Sequence, residues 1–239
     1  MSLVQKIPCD SPIVGIQSLT AIDFPGKIAG VFFTRGCPWK CRYCQNPSLS
    51  ESDLKSSLSR NDIEEFLRSR KEFLDGIVIS GGEPTIHSSL CDLLAWVRDY
   101  GYSTAIHTNG GFPEMLRCIL KKRLVDYIAM DIKAPPAAYD RVTQVHNTGI
   151  AVSRSIKIIL SSNIDYEFRT TYHPDILSEK ELIDTMRAIS CAGAKRYFLQ
   201  RFRTKGVMDQ ELVQGGDVVT IPQAAINEAQ MLFEEFEVR

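Results

Sequence analysis

Three cysteines stand close together in Gly36-Cys37-Pro38-Trp39-Lys40-Cys41-Arg42-Tyr43-Cys44-Gln45-Asn46-Pro47, at C-x3-C-x2-C spacing, just after the apolar run from Ile28 to Thr34. A loop this short can turn three thiolates towards one point. Thiolate is a soft ligand that selects zinc, copper(I) or iron–sulfur clusters, so the grouping points to a metal before it points to packing. A structural zinc site is closed by four protein ligands. The other cysteines, Cys9, Cys91, Cys118 and Cys191, are scattered singly, and no second half of a zinc site is visible. A four-iron cluster held by three thiolates leaves one iron open to a substrate or cofactor. The plainer alternatives are three buried or free thiols and a zinc module, and ordinary core thiols do not cluster in a loop containing Pro and Lys.

The spacing, with aromatic Tyr43 just before the last cysteine, resembles the signature of the radical S-adenosylmethionine (radical SAM) enzymes. That resemblance implies one 4Fe–4S cluster on Cys37, Cys41 and Cys44. It also implies SAM chelating the open iron, and an electron from the cluster cleaving SAM to a 5′-deoxyadenosyl radical. Gly81-Gly82-Glu83-Pro84 looks like the Gly-Gly-Glu-Pro motif of the same enzymes, which receives the SAM amino group. Physically, two glycines let a ligand approach the main chain closely, and Glu83 offers acceptors for an ammonium. A plain turn after a strand is the alternative.

Lys133 offers a positive charge to the SAM carboxylate and Arg169 a bidentate fork, although strand-end charges also commonly face water. Thr108 and Asn109 join the expected SAM contacts. Gln200 and the backbone around Tyr43 are candidates for the ribose and adenine, and Tyr43 suits loop packing equally well.

The elements that must position these residues can be read from patterning. The chain has 239 residues, 44% hydrophobic and 24% charged, enough for a substantial core, and no linker rich in Pro and Gly divides it. Residues 13–26 end in Phe24-Pro25-Gly26, a turn signal that reads as a β-hairpin lead-in or as a substrate-facing segment. Strands are predicted over 27–34, 76–80, 103–108, 127–132, 166–171 and 196–200. Ser48 to Ser59 reads as a surface loop. Helices are predicted from Asn61, through Leu90, Leu93, Leu94 and Val97, over 113–122 and 148–160, from the capping box Ser178 to Glu181, and from Pro222 through Ile226, Ala229, Phe233 and Phe236.

Adjacent parallel strands need crossover connections, which the helices supply. The expected fold is therefore α/β, a partial (β/α)6 TIM-like barrel with parallel strands. It is expected as one domain, with a lead-in over 1–26, the partial barrel over 27–205 and a C-terminal loop and helix over 206–239. In such barrels active sites sit at the C-terminal strand ends. The polar residues collect there: Thr34-Arg35-Gly36, Ser80 to Glu83, Thr108-Asn109-Gly110, Asp131 with Lys133, Arg169 and Gln200.

A net charge of −1 supplies no basic field for nucleic acid or an anionic membrane surface. No apolar run approaches a membrane span, and Met1-Ser2-Leu3-Val4-Gln5-Lys6 lacks the apolar stretch of a signal peptide. A cytoplasmic protein with reduced cysteines is expected.

More narrowly, the chain resembles the glycyl-radical-enzyme activating proteins, in the branch described as activating the anaerobic ribonucleoside-triphosphate reductase. The stretches that carry this are Gly15-Ile16-Gln17, Ile22 to Lys27, the cysteine loop through Pro47, Ser80 to Thr85, Thr108-Asn109-Gly110, Met130 to Pro135 and Phe168 to Thr171. The resemblance implies hydrogen abstraction from a glycine Cα of a partner enzyme and a flavodoxin- or ferredoxin-type electron donor. Such activases commonly carry an acid before Thr-Asn-Gly that helps to hold a monovalent cation, which Thr108 and Asp131 would share. Here the residue is His107, and imidazole is a poor ligand for a hard alkali cation. No second C-x2-C pair supports an auxiliary cluster. The rival readings are a small-molecule radical SAM enzyme, such as a deazapurine-forming synthase, and a non-catalytic zinc or redox-binding module.

Overall fold

The structure, a computed structural model, describes residues 11–216 and 219–239, so Cys9 and the Met1 to Lys6 stretch lie outside the described residues. The chain forms two compact units. Among the described residues, one gathers 11–37 with 48–108 and 114–128, and the other gathers 38–47, 109–113, 129–216 and 219–239.

In the first unit, β1 (Ile13–Thr20) and β2 (Ala29–Thr34) pair antiparallel, the hairpin that the Pro-Gly turn signal announced. Gly26 takes φ +72° at that turn, where a side chain would be strained. β3 (Gly76–Gly81) pairs parallel with β2, and β4 (Ser103–Thr108) pairs parallel with β3. Val31, Phe32, Ile77, Val78, Ile79, Ala105 and Ile106 are all buried, as strands covered on both faces require.

The crossovers are α1 (Arg60–Ser69) and α2 (Leu90–Asp99), and α3 (Pro113–Lys121) follows β4. α1 opens on a capping box between Ser59 and Asp62. The stripe Leu90, Leu93, Leu94 and Val97 of α2 is buried, as its spacing predicted.

The boundary between the units falls within β5 (Tyr127–Asp131). The second unit continues with α4 (Tyr139–Thr143), α5 (Thr148–Leu160), β6 (Asp165–Tyr172), α6 (Glu179–Cys191), β7 (Arg196–Arg201), α7 (Gln210–Val213), α8 (Gln223–Leu232) and β8 (Glu235–Val238). β6, β7 and β8 pair in parallel, and the Ser178–Glu181 capping box opens α6 as predicted. The six strands expected from patterning are thus β2 to β7, and the class is α/β with mostly parallel pairing.

The C-terminus differs from expectation. The last helix stops at Leu232, and Glu235–Val238 is a strand beside β7, so Phe236 is not on the helix. Phe233 already has extended backbone angles, φ −121° and ψ 141°. The Tyr197 ring of β7 stacks on both Phe233, at 4.8 Å, and Phe236, at 6.4 Å. The alternation Glu-Phe-Glu-Val then fits a strand, and pairing with β7 satisfies backbone groups at what would otherwise be an open edge. Among the described residues, no helix is long and apolar enough to cross a membrane.

Candidate functional site

In the first unit the strand ends hold Cys37, Gly81, Gly82, Glu83 and Thr108 together. The backbone N–H groups of Gly36 and Cys37 donate to the Leu49 and Ser50 carbonyls, at 2.6 and 3.1 Å, so the predicted surface loop also anchors the first cysteine. Gly82 and Glu83 donate through their N–H groups to Thr34 O and Gly36 O, at 2.8 and 2.7 Å. A Cβ on Gly82 would lie 2.2 Å from the Gly36 carbonyl oxygen, and one on Gly81, which has φ +120°, would lie 2.3 Å from Thr34 N. The two glycines are therefore required by the protein's own main chain. The Thr34–Gly36 segment makes that close approach.

Glu83 is fully buried. Its Oε1 accepts from Thr85 N at 3.0 Å, from the Thr85 hydroxyl, and from the Thr108 hydroxyl at 2.7 Å. Hydrogen bonds to a charged group contribute roughly 1.5–3 kcal/mol each, enough to hold a carboxylate in an apolar setting. Thr108 thus serves Glu83. His107 meets the Asp23 carbonyl at 3.0 Å, which ties the end of β4 to the hairpin turn.

In the second unit the rest of the cysteine loop meets α4 and Lys133, just after β5. Trp39 packs edge-on against Tyr139, with centroids 6.0 Å apart, and Lys40 N donates to Thr143 O at 2.9 Å. Cys44 N donates to Cys41 O at 3.1 Å, the turn that brings the second and third cysteines together. The Lys133 ammonium lies 5.4 Å from the centroid of the buried Tyr43 ring. Burial raises the Cys41 thiol pKa and Lys133 opposes the shift, while Cys44 and Asp131 raise it further. Burial also works against the Lys133 charge, but Tyr43 and Asp131 more than offset this and hold its pKa well above the ordinary lysine value.

Lys133 Nζ stands 3.8 Å from Asp131 Oδ2, and Arg169 Nε donates to Asp131 Oδ1 at 2.8 Å. Arg169 reaches Glu167 at 3.6 Å, and Arg239 reaches the same carboxylate at 3.0 Å. The two cations assigned to a substrate carboxylate therefore already share Asp131, the carboxylate considered for a metal cation. Asn109 Oδ1 accepts from Gly111 N at 2.8 Å, and Gln200 Oε1 accepts from the Thr171 hydroxyl at 3.3 Å.

Several partners escaped the sequence reading. Tyr139 accepts the Lys133 backbone N–H at 3.0 Å. Arg42, inside the cysteine loop, pairs with Asp209 at 2.5 Å and with Glu211 at 2.7 Å. The Gln45 amide donates to Arg203 O at 3.3 Å. A Cβ on Gly206 would lie 2.1 Å from Gln45 O. Segment 203–211 thus clamps the loop from its far side.

Among the described residues, no three His, Cys, Asp or Glu side chains are gathered at metal-binding distance. The donor set nevertheless fits an iron–sulfur cluster. Cys37, Cys41 and Cys44 are half-buried thiols outside any disulfide, and Lys133 beside Cys41 partly offsets the burial that works against the thiolate ligation needs.

Residues 31–189 match the radical SAM superfamily. Over 207 residues, 83% of either chain, the sequence is 31% identical to a protein of Methanocaldococcus jannaschii named as a candidate glycyl-radical enzyme activating enzyme. A 106-residue stretch is 34% identical to 7-carboxy-7-deazaguanine synthase of Halobacterium salinarum, covering 42% of this chain and 41% of that one. Among solved structures, methylornithine synthase superposes with a TM-score of 0.61 at 14% identity, over 85% of this chain and 61% of the other, a likeness of fold.

Proposed function

Since the chain belongs to the radical SAM superfamily, we propose that it is a glycyl-radical-enzyme activating enzyme, with Cys37, Cys41 and Cys44 as the three protein ligands of one 4Fe–4S cluster. The observation that carries this reading over a deazapurine-forming synthase is the extent of each likeness. The activating-enzyme match runs through most of both chains, whereas the synthase match covers less than half of each.

When bound, the cluster supplies the electron for reductive cleavage of SAM and hence the hydrogen-abstracting radical. The chain's own residues bind and orient. Glu83, positioned by Thr85 and Thr108, receives the SAM ammonium. Lys133 and Arg169, balanced against Asp131, set the positive side for the SAM carboxylate. Asn109, Gln200 and the Tyr43 backbone serve the nucleoside. The partner is a glycyl-radical enzyme, the anaerobic ribonucleoside-triphosphate reductase being the one we assign, and electrons come from a flavodoxin- or ferredoxin-type donor.

The test mixes anaerobically reconstituted protein with SAM, a reductant and that reductase. A glycyl radical in the electron paramagnetic resonance spectrum is expected, together with 5′-deoxyadenosine. SAM cleavage with no radical on the reductase, but with turnover of a small-molecule substrate, would favour the synthase. Zinc without iron or sulfide in the purified protein would remove the cluster assignment.

A further inference from the structure

A second sulfur cluster lies in the first unit, away from the cysteine loop in sequence and unused by the chemistry above. Cys91, in the first turn of α2, and Cys118, in α3, bring their Sγ atoms to 3.2 Å. Met115, one turn before Cys118 on α3, places its sulfur 3.9 Å from Cys91 Sγ. Both cysteines are free, Cys91 buried and Cys118 half-buried. Two thiols on different helices at this separation need only about 1 Å of side-chain movement to reach bonding distance.

We infer that Cys91 and Cys118 form a reversible redox site that closes to a disulfide when the protein meets hydrogen peroxide. The more accessible Cys118 is the first to react. Its thiolate attacks the O–O bond, takes up one oxygen as a sulfenic acid and releases hydroxide, which is protonated to water. The Cys91 sulfur then attacks the Cys118 sulfur, the S–S bond forms, the S–O bond breaks and a second water leaves. In sum, two thiols and one peroxide give one disulfide and two waters, with two electrons passing from sulfur to oxygen. A dithiol reductant reverses the step.

Burial and the Cys118 thiol push the Cys91 pKa up to about 11, so Cys91 is poorly suited to be the first attacker and acts as the resolving thiol held at contact distance. The cross-link has a defined place in the fold. α2 follows the Glu83 turn and α3 follows β4, whose last residue Thr108 donates to Glu83. The bond therefore joins the two helices immediately downstream of that hydrogen bond.

The test treats the anaerobically purified full-length protein with hydrogen peroxide, blocks remaining thiols with iodoacetamide and maps the peptides. The expected product is a peptide pair joined through Cys91 and Cys118, lighter by two hydrogens and released by a dithiol. The joined protein is expected to melt roughly 5–10 °C higher than the reduced protein, a rise absent in Cys118→Ser. Alkylation of both residues after peroxide treatment would overturn the inference, as would Cys118 recovered as sulfinic acid with Cys91 still alkylated. Because the readout is a peptide map, its failure leaves the proposed activity untouched.

Discussion

Cys41 and Cys91 are both thiols raised by burial, and their neighbours set them apart. For Cys41 the largest opposing influence is the ammonium of Lys133, which is itself held charged beside Asp131. For Cys91 the next influence after burial is another thiol, Cys118, which pushes the same way, and Lys122 offsets it only in part. At Cys41 a fixed cation partly offsets the burial that works against a ligand anion. A thiol facing a thiol is prepared for sulfur–sulfur chemistry. Residue type alone does not separate these roles: spacing singles out the loop cysteines, and only the fold supplies Cys91 with its neighbour.

The comparison breaks most severely at the ligands. Cys37→Ala, Cys41→Ala and Cys44→Ala are each expected to abolish reductive SAM cleavage, measured as 5′-deoxyadenosine after anaerobic reduction. Retained production in any of the three would remove that residue from the cluster. Next comes the cation. Lys133→Met keeps the bulk of the stem and removes the charge, and SAM affinity should fall about 10- to 100-fold, the range for one lost charge-assisted contact. Unchanged affinity, read by equilibrium binding to the reconstituted protein, would mean that Lys133 serves Asp131 and Cys41 alone. Arg169→Ala is expected to weaken binding and also to lower the melting temperature, because it strips both Asp131 and buried Glu167 of a partner.

What could be read from the sequence follows from where the information lies. The C-x3-C-x2-C loop, Gly81-Gly82-Glu83-Pro84 and the six buried strand runs are local patterns, and each sits where patterning put it. The Ser178–Glu181 capping box is equally local. Arg42 and Asp209 are 167 positions apart, and no periodicity announces that pairing. Glu167 and Arg239 are 72 apart, and the strand that brings Arg239 there carries a helix-like spacing through Phe236. Phe233 and Phe236 have a spacing that suits one helix face, yet it serves equally to stack both rings on Tyr197. The reason for Gly82 was likewise hidden, because the group that excludes a side chain is the carbonyl of Gly36.

The loop clamp gives a smaller effect. Arg42→Ala should leave folding and the ligand set intact while loosening the Cys41–Gln45 turn. Faster amide exchange across residues 41–45 is expected, with faster loss of the cluster's visible absorbance in air. Arg42 holds the Asp209 carboxyl below its ordinary value of 3.8. A depressed carboxylate contributes above its unfolded value and loses that contribution as the pH falls through the folded one. The exchange difference between wild type and Arg42→Ala should therefore persist through neutral and mildly acidic pH and close only below 3.8. A difference that closed near neutrality would assign the clamp to another group.

The smallest effects test the other half of the comparison. Cys91→Ala removes a buried sulfur packed against Cys118 and Met115, so a loss of about 1–2 kcal/mol in stability is expected, measured by urea unfolding, with SAM cleavage retained. Cys191, exposed at the end of α6, has no such packing, and Cys191→Ala should change stability by no more than about 0.5 kcal/mol. The pair of variants separates burial from residue identity: equal losses at both positions would mean that contact with Cys118 contributes nothing beyond what any helical cysteine contributes. A loss of SAM cleavage in Cys91→Ala with stability unchanged would go further and place Cys91 among the residues of the reaction, erasing the distinction between the two groups of thiols.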